Sequence, residues 1–189
     1  MEKSSLIFIT GGVRSGKSSF AEKRATEIAC ETGGHLHYIA AGQHSDPEMK
    51  ARIAKHRQDR SESKFNWKTW EHPTHLTKLS GAFNGKDIVL LDCLTTLLNN
   101  EFFHSDGKWL DPVFQEQVMD SILEGIEQIQ CRSHVLIVVS NEIFHEPIGD
   151  NEMVFIYGRM LAHLHQQLVI KAKQAYLVEA GIPLLMKGG

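Results

Sequence analysis

The chain has 189 residues, 42% of them apolar, and a formal charge of −3. That length lets one domain bury about two-thirds of its unfolded surface, and near-neutral charge argues against a broad nucleic-acid face, so no nucleic-acid partner is expected. No apolar run approaches the roughly 18 residues that span a membrane. Cys30, Cys93 and Cys131 are scattered, with neither zinc-ligand spacing nor a disulfide framework, which fits a reduced, cytoplasmic setting.

Leu6–Ile9 reads as the first strand. It is too short for the core of a secretory signal and leads straight into a glycine-rich turn. Gly11 to Ser18 has the spacing G-x-x-x-x-G-K-S. Set between a strand and a helix, this spacing predicts a phosphate-binding loop. The backbone N–H groups of Gly11, Gly12, Val13, Arg14, Ser15 and Gly16 would turn toward the phosphates, and the next helix would aim its positive end at them. Lys17 would reach the β- and γ-phosphates, and the Ser18 hydroxyl would join a Mg²⁺ shell. The Arg14 side chain is a further phosphate donor or a solvated charge.

A helix follows from Ser19 to about Glu31, with Phe20, Arg24 and Ile28 one turn apart, and Gly33-Gly34 ends it. His35–Ala41 reads as a strand. Ser45 and Glu48 have the offset of a capping box, with Pro47 in the first turn, and open a helix to about Arg60 with Met49 and Ile53 as its apolar stripe. Asn66–Glu71 is an edge strand or an extended strap. Thr74–Ala82 reads as a helix, Asn84-Gly85 as a turn and Asp87–Asp92 as a buried central strand. Thr95–Phe103 is expected to be helical and His104–Asp111 a polar loop, and Pro112 opens an amphipathic helix to about Gln130. His134–Ser140 is the most strand-like stretch. A loop over Phe144–Asn151, a helix over Glu152–Lys173 and a strand over Ala175–Glu179 come next. Gly181-Ile182-Pro183 then turns the chain into a last short strand, Leu184–Lys187. Apolar strands alternating with helices predict an α/β, P-loop NTPase-like fold: one domain over residues 1–189, with a mostly parallel sheet, helices on both faces and a short C-terminal strand.

Three further groups of residues bear on chemistry. Asp92 ends the apolar run Ile88–Leu91, at the carboxyl end of a strand, where an open α/β sheet places its ligands. Beside a phosphate loop it would face Mg²⁺; otherwise it caps the helix that follows. Glu48, Arg52, His56 and Arg60 fall one turn apart on the expected helix. The two arginines favour a neutral imidazole, the form that attacks phosphorus, and could hold the nonbridging oxygens; the same stripe also fits a plain solvated face. Asn141 and Glu142 follow the strand ending at Ser140 and would touch nucleotide, metal or acceptor, or merely form a turn or cap. His35, His37, His72, His75, His163 and His165 read as structural or surface residues.

The segments Thr10–Glu22, Tyr38–Gly42, Asp46–Arg57, Leu90–Thr96, Val139–Glu142 and Ala180–Lys187 together resemble the bifunctional adenosylcobinamide kinase/adenosylcobinamide-phosphate guanylyltransferase family of cobalamin biosynthesis, along nearly the whole chain. The resemblance implies phosphorylation of adenosylcobinamide by a nucleoside triphosphate, ATP or GTP. GMP would then pass from GTP to adenosylcobinamide phosphate by way of a guanylylated histidine. The family's histidine falls on His56, its helical arginine on Arg52, its phosphate loop on Gly11–Ser18 and its strand-end acid on Asp92. Homo-oligomers are implied as well. The chain departs from the family at Ile143–Pro147, at Gly158-Arg159 and at His165-Gln166, and it carries extra residues between Arg60 and Trp67. These changes bear on acceptor and base contacts and leave the phosphate loop intact. No Asn-Lys-x-Asp guanine signature is present. Other readings are a P-loop small-molecule kinase without nucleotidyl transfer and a non-catalytic nucleotide-binding protein.

Overall fold

In a computed structural model describing residues 4–42, 58, 65–104, 107–143 and 151–188, the strands are β1 (Ser5–Gly11), β2 (His35–Ala40), β3 (Trp67–Glu71), β4 (Asp87–Asp92), β5 (Val135–Asn141), β6 (Gln174–Glu179) and β7 (Ile182–Lys187). The helices are α1 (Lys17–Thr32), α2 (Leu94–Phe102), α3 (Pro112–Arg132) and α4 (Glu152–Lys171). The strands form one seven-stranded sheet in the order β3-β2-β4-β5-β1-β6-β7. All neighbours are parallel except β6 and β7, which form an antiparallel hairpin.

Parity along the central strands divides the core in two. Ile7, Ile9, Ile88, Leu90, Ile137 and Val139 face α1, whose buried seam is Ala21, Ala25, Ile28 and Ala29. Leu6, Phe8, Val89, Leu91, Leu136 and Val138 face the opposite layer, built from α2, α3 and α4. A strand covered on both sides must be apolar at every position, which is why DIVLLD and VLIVVS lack alternation. The alanines of α1 let it lie close to the sheet.

The helix ends are set locally. Asp111 caps α3 by accepting from the Val113 N–H, with Pro112 in the first turn, and Asn151 caps α4 by accepting from the Met153 and Val154 N–H groups. α1 stops at Gly33, whose φ of 67° is in the left-handed region.

The expected helix over Thr74–Ala82 is instead a 3₁₀ helix from Leu76 to Ala82. Its tight contact with α3 accounts for the difference: a Cβ on Gly125 would meet Leu76 Cβ at 2.6 Å. The last turn is tighter than expected. Ala180 and Gly181 both have positive φ, and Ile182 and Pro183 already pair with Glu179 and Val178. Proline is tolerated there because β7 is an edge strand. The polar loop before α3 contains a 3₁₀ turn, Lys108–Leu110, and α4 ends at Lys171. The expected helix from Ser45 to Arg60, which carries Arg52 and His56, and the loop after Ile143 lie outside the described residues, apart from Gln58 and Asn151.

Candidate active site

The register of the sheet brings the chemical groups to one edge. At the carboxyl ends Gly11 of β1 sits beside Asn141 of β5, and Asp92 of β4 sits beside Val139. The chain leaves β1 through α1 toward β2, and leaves β5 through α4 the other way, to β6. Such a reversal opens a crevice at the carboxyl edge of an α/β sheet.

The loop Gly11–Ser18 lies in that crevice and is clamped by main-chain hydrogen bonds. The Glu142 N–H donates to the Gly11 carbonyl at 2.9 Å, and the Gly181 N–H, from the β6–β7 turn, donates to the Ser15 carbonyl at 2.8 Å. Ser15 N–H closes the turn onto the Gly12 carbonyl at 3.2 Å. Gly11 admits no side chain, since a Cβ would meet Val178 O at 2.3 Å and Ser15 Oγ at 2.6 Å. Gly16 takes φ of 91° as it enters α1, a conformation that suits glycine.

The loop gathers donors. Gly12, Val13 and Arg14 are exposed at the mouth, while Ser15 and Lys17 are buried. Lys17 Nζ donates to the Gly12 carbonyl at 2.9 Å, so the ammonium lies back over the loop. Among the described residues no side chain caps the start of α1, and its first turn holds no acidic residue. The first N–H groups of a helix have no acceptor within the helix, and the dipole adds partial positive charge there. The Ser15 Oγ and Thr10 Oγ1 atoms are buried with no hydrogen-bond partner among the described residues. A pocket of donors backed by a helix N-terminus and a buried ammonium can take an oxyanion such as a phosphate.

Asp92 is half-buried, and its Oδ2 accepts from the Tyr38 hydroxyl at 3.0 Å. It is not the cap of α2: that position is Cys93, whose Sγ lies 3.1 Å from Thr96 Oγ1 in the first turn. Nor is Cys93 a nucleophile, because burial, reinforced by the nearby Asp92 charge, pushes its thiol pKa up. Among the described residues no three His, Cys, Asp or Glu side chains are arranged to hold a metal. Mg²⁺ takes one or two protein groups and fills its shell with phosphate oxygens and water. The residues the sequence offers for it are Ser18, in the first turn of α1, and Asp92, at the end of β4. When bound, the ion would neutralise charge on the phosphates.

Asn141 and Glu142 do not cap α4, which Asn151 does. The Asn141 N–H donates to Thr95 Oγ1 at 2.8 Å, and Glu142 fastens the loop through its own N–H. His56 and Arg52 lie outside the described residues.

The contacts of several contributors carry no sequence signal. Gly181 braces the loop from the far end of the chain. His165 of α4 sits behind the crevice, with Nε2 2.7 Å from Ser140 Oγ, and burial lowers its pKa to about 4 against an opposing pull from Glu142. Tyr157 donates to the Thr95 carbonyl at 2.8 Å, and burial raises its pKa. No local spacing announces these residues; they meet only once α4 is packed against β5.

Fold and site thus define a mostly parallel α/β protein with a glycine-rich, helix-backed loop at the carboxyl edge of its sheet. Within that class, the chain belongs to the cobinamide kinase / cobinamide phosphate guanyltransferase family, whose model matches residues 7–186. It is 31% identical over 188 residues to the bifunctional adenosylcobalamin biosynthesis protein CobU of Escherichia coli, covering 96% of this chain and 99% of that protein. To the bifunctional adenosylcobalamin biosynthesis protein CobP of Pseudomonas aeruginosa it is 35% identical over 182 residues, covering 95% and 96%. The CobU protein of Salmonella typhimurium is 29% identical over 188 residues, with 96% and 99% covered. The chain is accordingly an enzyme of cobalamin biosynthesis, a transferase with kinase and guanylyltransferase activities. No helix among the described residues is long and apolar enough to cross a membrane.

Proposed function

We propose that the crevice is a P-loop nucleotide site serving two successive transfers. In the first, the aminopropanol hydroxyl of adenosylcobinamide attacks the γ-phosphorus of ATP or GTP and the nucleoside diphosphate leaves. In the second, a nitrogen of His56 attacks the α-phosphorus of GTP and the bond to the β-phosphate breaks. Pyrophosphate leaves, and a phosphate oxygen of adenosylcobinamide phosphate then displaces His56 from the GMP phosphorus. The product is adenosylcobinamide-GDP.

In this reading Gly11, Gly12, Val13, Arg14, Ser15 and Gly16 cradle the phosphates, and Lys17 neutralises the charge that builds on the leaving oxygens. Ser18 and Asp92 hold Mg²⁺. Arg52, one turn from His56, steadies the nonbridging oxygens. Asn141 and Glu142 border the nucleotide where β5 meets the loop. A single domain working as a homo-oligomer in the cytoplasm completes the reading.

The observation that carries it is the donor-rich loop: Ser15 Oγ buried without an acceptor among the described residues, an uncapped α1 and Lys17 folded over the turn, in a chain of this family. The test is covalent labelling. GTP labelled at the α-phosphate, with Mg²⁺, should leave label on the wild-type protein and none on His56→Ala. The His56→Ala protein should keep the first transfer. A wild-type protein that phosphorylates adenosylcobinamide yet never takes label would be a kinase alone.

A further inference from the structure

One polar chain at the carboxyl edge lies outside the phosphate loop. It starts at His165 on α4, whose Nε2 is 2.7 Å from Ser140 Oγ on β5. Ser140 is fully buried, and its Oγ is 3.0 Å from Thr95 Oγ1 in the first turn of α2. Thr95 Oγ1 accepts from the Asn141 N–H at 2.8 Å, and the Thr95 carbonyl accepts from the Tyr157 hydroxyl of α4 at 2.8 Å. One residue further on, the Glu142 N–H holds the Gly11 carbonyl at 2.9 Å. The imidazole is thus linked through two hydroxyls to the end of β5, the start of α2 and the phosphate loop.

We propose that His165 is a positioning residue for the nucleotide crevice: as a hydrogen-bond acceptor it orients Ser140 and Thr95, and these hold Asn141-Glu142 against Gly11. The inference rests on the reading of the crevice as the nucleotide site.

The proton bookkeeping of the chain gives it a direction. Thr95 Oγ1 receives the Asn141 N–H on one lone pair and can give its own proton to Ser140 Oγ, which in turn can give its proton to Nε2. All these groups are satisfied together when Nε2 carries a lone pair and the ring proton sits on Nδ1. A proton on Nε2 would make Ser140 Oγ the acceptor in that contact and leave the Ser140 and Thr95 protons competing for the single contact between them. The surroundings favour the neutral ring. Burial depresses its pKa and outweighs the opposing Glu142 charge at the end of β5, while Phe8 of β1 packs edge-on with ring centroids 5.1 Å apart.

A residue that only fills space should tolerate an apolar replacement of similar size. A positioning residue should not, but should tolerate an amide that still accepts from Ser140. The experiment compares the full-length wild-type protein with His165→Leu, His165→Gln and Ser140→Ala, measuring GTP affinity, the KM and kcat of the kinase step, and the urea midpoint of each. His165→Leu should lower kcat by about tenfold to a hundredfold, as loss of alignment does, with the nucleotide KM within about twofold. His165→Gln, whose amide reaches the place of Nε2, should return kcat to within about threefold of wild type, and Ser140→Ala should reproduce the loss. If His165→Leu does not fold, Ser140→Ala and His165→Gln decide the matter. Wild-type kcat in a folded His165→Leu or in Ser140→Ala, or a Gln variant as slow as the Leu variant, overturns the inference alone. A wild-type protein that binds no nucleotide overturns the reading of the crevice and this inference with it.

Discussion

Two clusters of buried polar groups, around Asp87 at the amino edge of the sheet and in the phosphate loop at the carboxyl edge, are treated in opposite ways. At the amino edge Asp87, the first residue of β4, is almost wholly buried, and the chain itself encloses it. Its Oδ1 meets His35 Nδ1 at 3.1 Å and His37 Nε2 at 3.4 Å, its Oδ2 takes the Asn84 N–H at 2.8 Å, and its carbonyl takes the His134 N–H at 2.8 Å. His37 Nδ1 accepts from the Trp70 indole at 3.1 Å, which leaves Nε2 as the protonated nitrogen facing the carboxylate. At the carboxyl edge the balance is reversed. Ser15 and Thr10 hold buried hydroxyls with no partner among the described residues, and α1 begins without a cap. A buried polar group left unmatched costs about 1–3 kcal/mol. The Asp87 cluster therefore uses its polar groups to hold the structure, while the loop leaves donors that can meet a ligand.

The sharpest way to break this contrast is Lys17→Ala. It removes a buried cation at the donor-rich end, and the kinase rate should fall by roughly 10²–10³, the usual cost of losing one such donor, as read from steady-state turnover. Next in size is a pH effect. Burial holds the His165 pKa at about 4, against 6.5 for an ordinary imidazole. The unfolded chain therefore takes up this proton first as pH falls. Stability is full above about 6.5 and declines toward pH 4, by on the order of 3 kcal/mol in total. Burial also lowers the His37 pKa, but Asp87 opposes it, so the amino-edge histidine should add less. Urea midpoints between pH 7.5 and 4.5 should slope for wild type and flatten for His165→Gln.

Gly11→Ala forces a Cβ onto Val178 O and should destabilise by about 1–3 kcal/mol, with loss of nucleotide binding. Gly85→Ala, where a Cβ meets nothing within 4 Å, serves as its silent control. Asp87→Asn tests the other end. It should lower the urea midpoint by an amount equivalent to about 1–2 kcal/mol while leaving kcat per folded molecule unchanged. A loss of kcat there would erase the distinction between the two ends.

What the sequence made legible follows from the range of the interactions. The phosphate loop is a local object, so the offsets of Gly11, Gly16, Lys17 and Ser18 are visible without the fold. The strands Asp87–Asp92 and Val135–Asn141 were legible because burial on both faces demands continuous apolar runs. His165 was not, because two histidines in one helix say nothing until α4 is laid against Ser140. Asp87 passed as the start of a strand, since His35 and His37 reach it from a neighbouring strand, His35 lying 52 residues earlier in the chain. The 3₁₀ form of Leu76–Ala82 likewise depends on Gly125, in a helix some distance along the chain.

The place of β1 in the sheet has a consequence for how the protein is made. β1 pairs with β5 and β6, and the loop that follows it is braced by Gly181, so β1 waits for β5 before a first sheet neighbour reaches it, and for the β6–β7 hairpin before its other side and its loop are held. Pairings so distant in sequence slow folding, because the intervening chain must be ordered first. Nascent chains in which the β6–β7 hairpin is still inside the ribosome should therefore lack affinity for nucleotide, and a ribosome-bound fragment would gain it as that hairpin clears the exit tunnel.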